Sequence, residues 1–489
     1  MHPPRPVTYL RKALLAISVT GCALVLMFGL LWVKYSDSIT PDLWRHAENV
    51  WHGQADLLGD RTPSELIRYA KRRLEGHPNL EILVLPPLHW VQAKYEHPVP
   101  PGPLPTLTKG QLDQAPAALP GQAGQPTITA DTAASIISAI STAKAGQTVL
   151  IAPGRYRINQ NIKTNAVGNA QQLITVRASQ PGQVQIEFNA QEGFIVQHSY
   201  WVFENLRIQG VCKDHTSCEH AFHVVGQGDH LVVRNNRIED FNAHLKINGL
   251  QGAWPDHGVL QHNTITNTTA RTTENPITLF DLVGANYWQV LDNVVSNFVK
   301  NGSDGISYGI FMKGASRGGR IERNLVICTT QNVSQPGVRV GISFGGGTTG
   351  QAYCRDGRCE AEHTAGLAAN NILGHCNDSG IDVNKSTSIA IAHNTLINTA
   401  GIDVRTTPAS ATMQGNLLEG QIRQRKGGQA KLVMNEIAVM ADVFENPNAL
   451  NLNWRKVPDN IPRLGLAEKD FYGQIRGDST PPGALAGSR

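Results

Sequence analysis

With 489 residues, the chain has room for two or three domains, or for one long repeat array with appendages. Its 41% hydrophobic and 17% charged content suits a folded protein, and 47 glycines against 12 phenylalanines favour many turns over thick helical cores. A net charge of +4, from 43 basic and 39 acidic residues, makes no case for a nucleic-acid partner, because the basic residues form no cluster beyond Lys71-Arg72-Arg73.

Taken in order, Ala13 to Val33 is an uninterrupted apolar run, close to the ~20 residues needed to cross a bilayer. Arg5, Arg11 and Lys12 precede it, so the positive-inside rule predicts an uncleaved anchor in a bacterial inner membrane, single-pass, with the bulk of the chain in the periplasm. A cleaved signal peptide is the competing reading, but Lys34-Tyr35-Ser36-Asp37 follows where small residues would mark cleavage. Thr40-Pro41 and Thr62-Pro63 each supply an N-cap and a first-turn proline, and Glu65 completes a capping box after the second. These signals predict a helical stalk that is either a spacer or a docking surface for an envelope protein. Residues 86–126, rich in Pro, Gly, Gln and Ala, read as a stiff linker. The predicted segments are 1–35 (tip and anchor), 36–85 (helical region), 86–126 (linker), 127–420 (solenoid) and 421–489 (C-terminal cap and tail).

The solenoid is read from a phrase that recurs. It runs Gly309-Ile-Phe-Met-Lys313, Gly341-Ile-Ser-Phe-Gly345, Gly380-Ile-Asp-Val-Asn384 and Gly401-Ile-Asp-Val-Arg405, with looser copies at 221–225, 244–248 and 276–280. Alternation at period 2 means a strand with one buried face. Recurrence at long intervals means that equivalent strands stack into a solenoid. A second phrase places an Asn before apolar residues at 236, 263, 293, 324, 371, 394 and 416. These asparagines read as scaffold, in turns that tolerate left-handed backbone and let amides bond along the stack.

Cys22 lies in the apolar run, and the other six cysteines lie in the solenoid. Cys212/Cys218 and Cys354/Cys359 are neighbours in sequence, which leaves Cys328 and Cys376, so three disulfides in an oxidising compartment are expected, the last by elimination. The alternative for Cys212, His215, Cys218, His220 and His223 is a zinc or copper site. Trp201, Trp254 and Trp288 could stack on sugar rings, with Trp201 in a core-like pattern.

A short helix at 131–145 followed by Gly146-Gln-Thr-Val-Leu-Ile-Ala-Pro-Gly-Arg-Tyr156 resembles the opening of right-handed parallel β-helix proteins of the pectate lyase and chondroitinase B type. Leu173 to Ala178 and Tyr200 to Ile208 are similar to that family's early coils, and Val443 to Pro447 with Asp470 to Arg476 resemble its closing cap. The resemblance implies an all-β, right-handed parallel β-helix. Aligning the repeats on their apolar pair gives one outward column of His223, Lys246, Thr278, Phe311, Ser343, Asp382 and Asp403. The next column is Val225, Asn248, Phe280, Lys313, Gly345, Asn384 and Arg405, with Asp281 placed near Lys313.

A lyase acting on an acidic polysaccharide must neutralise a uronate carboxylate, abstract the proton α to it and protonate the leaving oxygen. Lys313 is similar to the catalytic-lysine strand of chondroitinase B-like lyases, which makes it the candidate base, with Lys246 and Arg405 as further catalytic candidates. His223, His244, Asn248, Asp281 and Asn384 are expected to bind substrate. Asp382 and Asp403 either hold a cation, with Ca²⁺ the candidate, or are neutralised by Lys385 and Arg405. The chain departs from the family at Ile306 and Tyr308, where two acidic metal ligands would stand, and at Ser343 to Gly347, where an arginine–histidine pair would stand. Two functions follow: a lyase on an acidic polysaccharide, or a non-catalytic glycan-binding or envelope scaffold.

Overall fold

The structure is a computed structural model, and it describes residues 82–88, 90, 117–122, 124–330, 337–346, 349–463 and 465–487. Residues 82–88 are helical and include the first prolines of the expected linker, whose remainder to 116, apart from residue 90, lies outside the described residues. The expected anchor at 13–33 and most of the stalk also lie outside them. Among the described residues no helix is long and apolar enough to cross a membrane, and the expected inner-membrane, periplasmic location is corrected on that finding.

The repeats fold as expected into a parallel solenoid of three sheets with twelve, eleven and ten strands, here called the first, second and third. Each coil gives one strand to each sheet in turn, as Val232–Arg234, Arg237–Glu239 and Leu245–Asn248 do. Rungs pair in parallel register, so like positions stack. Val233, Leu260, Val290 and Ile321 form one inward stack of the first sheet, and Ile238, Ile265, Val295 and Val326 the corresponding stack of the second. All are fully buried. Burial on this scale, at roughly 25 cal/mol per Å² of apolar surface, is what holds the coils together.

The helix Ala133–Thr142 closes the first coil. Thr132 and Ser135 exchange hydrogen bonds as a capping box, and Ile136 and Ile140 enter the core. The asparagines form one buried ladder. The Asn263 side chain accepts from the backbone N–H of Asn236, the Asn293 side chain from that of Asn263, and so on to Asn435, one rung beyond those predicted. The left-handed residue is the one before each ladder asparagine: Asn235, His262, Asp292, Arg323, Asn370 and His393 all have φ between 50° and 56°. That residue turns the chain between the first two sheets and swings the following amide into the interior.

All three expected disulfides are present: Cys212–Cys218, Cys328–Cys376 and Cys354–Cys359. The first removes both thiolates from the suggested zinc or copper set, and His220 turns its Nδ1 to the Ala243 carbonyl, 3.1 Å away. Trp201 and Trp288 are fully buried core residues, and Arg355 lies over the Trp254 ring. These positions leave no tryptophan of the set as an open stacking platform.

The C-terminal region departs from expectation. Strands Gln421–Arg425, Gln429–Val433 and Glu436–Ile437 add a further coil past residue 420. Beyond it the chain does not close the end of the solenoid. Met440, Phe444, Leu450, Phe471 and Leu485 pack instead on the outward side of the second sheet, against Leu325, Ile327, Ile372 and Ile397. Those outward positions are apolar, so they demand a cover that runs along the side.

Candidate functional site

The charged ladder lies on the outward face of the third sheet. Its register is His223–Lys246–Asp281–Phe311–Ser343–Asp382–Asp403–Arg423. Asp281 therefore takes the place predicted for Thr278. In the second column Val283 replaces Phe280, which points into the core. Every residue of the strand Ile277–Val283 is buried, so polarity could not fix which face of it points inward.

Asp281 is the centre of the first cluster. Lys246 Nζ donates to Asp281 Oδ2, and Lys313 Nζ lies 3.8 Å from Oδ1, which has no hydrogen-bond partner. Burial alone would raise the Asp281 carboxyl, but the ammonium groups of Lys246 and Lys313 outweigh it and hold the group below the usual carboxylate value. Each lysine side chain is 24% exposed, so both heads reach the surface while the carboxylate does not. On the next rung His223 sits between two acceptors, Glu192 Oε1 at 2.6 Å and Asn248 Oδ1 at 2.9 Å. The Asn248 amide is fixed by its N–H donating to the Gly249 carbonyl. The hydrogen bond from His223 is the largest influence lowering the Glu192 carboxyl.

Lys313 also meets an aromatic pair. Its ammonium lies 4.3 Å from the centre of the Phe311 ring, on which Tyr308 stacks at 4.3 Å and 19°. Phe311 is buried and Tyr308 half-buried. Gly309 intervenes, and a Cβ there would fall 2.7 Å from the Gly341 carbonyl oxygen on the next rung, so no larger residue fits. Burial first, and the Asp382 carboxylate second, push the Tyr308 phenol up to about 12.

The second cluster pairs carboxylates with arginines. Arg405 grips Asp382 through Nε at 2.9 Å and Nη2 at 2.8 Å, and Arg425 grips Asp403 in the same way, with Nε at 3.0 Å. Arg423 approaches Asp403 to 3.6 Å. Burial raises the Asp382 carboxyl, against the bonds from Arg405. Asn384 is buried in the rung beside Arg405.

His244 does not join the face. It is fully buried, its Nε2 lies 3.0 Å from the Thr266 carbonyl, and burial pushes it down to about 3, so it is a neutral core group and not a substrate contact. A Ca²⁺ site does not fit these residues either. Ile306 and Tyr308 offer no carboxylate, and Asp382 and Asp403 already face guanidinium groups in place of the expected cation. Among the described residues the sole metal-like grouping is Cys354, Asp356 and Cys359, whose two sulfurs are bonded to each other. Glu192, Arg423, Arg425 and the phenol of Tyr308 were not picked out from the sequence. The aromatic pair at i and i+3 was the one signal that could have found Tyr308.

Residues 117–279 match the family model described as Pel9A-like, right handed beta helix region. No curated protein matches the chain. Among solved structures, the pectate lyase Pel9A is 14% identical with a TM-score of 0.51, covering 71% of this chain and 90% of that one. The alginate lyase from Paenibacillus sp. str. FPU-7 is 15% identical with a TM-score of 0.40, covering 64% and 99%, and a rhamnogalacturonan lyase is 14% identical with a TM-score of 0.41, covering 63% and 82%. The Pel9A likeness is one of fold, and with the match over 117–279 it identifies this chain as a right-handed parallel β-helix protein resembling the polysaccharide lyases.

Proposed function

We propose that this protein is a carbohydrate-active β-helix that cleaves an acidic polysaccharide by β-elimination on the outward face of the third sheet. The observation that carries the reading is the Lys246–Asp281–Lys313 cluster, two partly exposed ammonium groups around a buried carboxylate, on a face whose other end holds Arg405. Rungs lie about 4.8 Å apart, so the cations run along the solenoid axis, as a polyanion laid on the face would require. Lys313, in its amine form, takes the proton α to the uronate carboxylate. Lys246 offsets the charge that develops on the enolate, and Arg405, three rungs from the strand of Lys313, holds a carboxylate further along the polymer. The fold likeness to Pel9A supports the same substrate class.

A second reading, glycan binding without chemistry, is favoured by the ion pair between Lys313 and Asp281 Oδ1 at 3.8 Å, which already engages the side chain that the elimination needs as its base. The test is incubation of the protein with a panel of polyuronates, following ultraviolet absorbance of the unsaturated product. Wild type is expected to yield product, and Lys313→Ala to lose at least about 100-fold in kcat, as removal of a general base does. Binding with no product on any polymer would leave the second reading. Unchanged activity in Lys313→Ala would remove the lysine from its role.

A further inference from the structure

Resting on the lyase reading, we propose that Tyr308 is the proton donor to the leaving oxygen, the partner of Lys313 in the elimination. Lys313 and Tyr308 contact one ring, that of Phe311, the ammonium at 4.3 Å from its centre and the phenol ring stacked at 4.3 Å. Phe311 thus holds the ammonium and the phenol ring against one side chain of the outward face. Tyr308 is half-buried, so it is within reach of a bound chain yet fixed in orientation by the stack. Its phenol stays protonated, because burial and the nearby Asp382 carboxylate oppose ionisation. His223 is three rungs from Phe311, about 14 Å, too far to serve the same bond, and Ser343 on the adjacent rung is fully buried and donates to the Gly345 carbonyl at 2.6 Å.

The step balances without a metal or redox partner. The Lys313 amine takes the proton from the carbon α to the carboxylate, and the released electron pair forms the double bond to the β carbon. The bond from the β carbon to the glycosidic oxygen breaks, and that oxygen takes the Tyr308 proton. The phenolate and the ammonium then exchange one proton through solvent, which restores both groups.

Tyr308→Phe keeps the stack and removes only the hydroxyl, and its fold can be checked by circular dichroism and thermal midpoint. The variant is expected to lose about 100-fold or more in kcat on the polymer, with KM nearly unchanged. It should still exchange the α proton with deuterated solvent, because Lys313 is intact. A uronate carrying fluoride as the β leaving group, which needs no proton, should be turned over by the variant at close to the wild-type rate. An undiminished rate on the polymer, or an equal fall on polymer and fluoride substrate, would overturn the role of Tyr308 while wild-type activity left the lyase reading standing. Absence of product from wild type on every polyuronate would overturn both.

Discussion

Asn293→Leu is expected to destabilise the protein by about 2–4 kcal/mol, because it orphans a buried backbone donor. The Asn293 side chain accepts from the Asn263 backbone N–H at 2.9 Å and from the Asn263 amide at 3.0 Å. It donates in turn to the Leu260 carbonyl at 2.9 Å and to Asn324 Oδ1 at 3.0 Å. Leucine fills a similar volume and can replace none of these bonds. The Asn263 side chain keeps other acceptors, at Val233 and Gln261, so the largest loss falls on its backbone N–H. Coils of a solenoid touch only their neighbours, so hydrogen exchange should accelerate in the strands around 260–295 before it does so elsewhere. Asn435 provides the comparison. It ends the ladder half-buried, bonded on one side to Asn416 and Met413, and Asn435→Leu should cost about half as much. Equal losses at both positions in denaturant titrations would show that the ladder is not what stabilises the stack.

The solenoid was legible because the physics behind it repeats. Each Gly-Ile-x-Val phrase must bury the same two positions, and each ladder asparagine must meet the next, so every coil carries the same signature. The site was less legible because it depends on register within single strands. The run from Ile277 to Val283 is buried throughout, so nothing in its polarity marked Asp281 as the outward residue, and a shift of three places exchanged its faces. His244 sits one residue before a strand and was read as continuing it, but its ring turns inward to the Thr266 carbonyl. Val443 to Pro447 and Asp470 to Arg476 resembled a closing cap. Their destination was set instead by the apolar outer positions of the second sheet, such as Ile327 and Ile372, which look like core in sequence whichever way they point. The disulfides were read correctly because two of the pairs are so close in the chain that geometry leaves them little choice.

Arg405→Ala is expected to lower stability at neutral pH by about 3–5 kcal/mol, the cost of leaving a buried carboxylate without its partner. Asp382 is 1% exposed, and its register neighbour is Asp403, a second buried carboxylate. Even with Arg405 in place, burial holds the Asp382 carboxyl above its ordinary value. A group whose folded value is raised binds a proton in the native state that the unfolded state has already released. Its contribution to stability therefore weakens as pH rises from the ordinary carboxylate range, about 4, through the raised folded value. Without the guanidinium that window widens upward, so the deficit of Arg405→Ala should shrink when the protein is unfolded at progressively lower pH. Protonation relieves the uncompensated charge. Arg405→Met with Asp382→Asn removes both charges at similar volume, and should recover most of the loss at neutral pH, since a neutral pair often serves as well as a buried ion pair. Denaturation midpoints of the two variants across pH decide the matter. A deficit that does not change with pH, or a double variant no more stable than Arg405→Ala, would mean that Arg405 supports the face by packing alone.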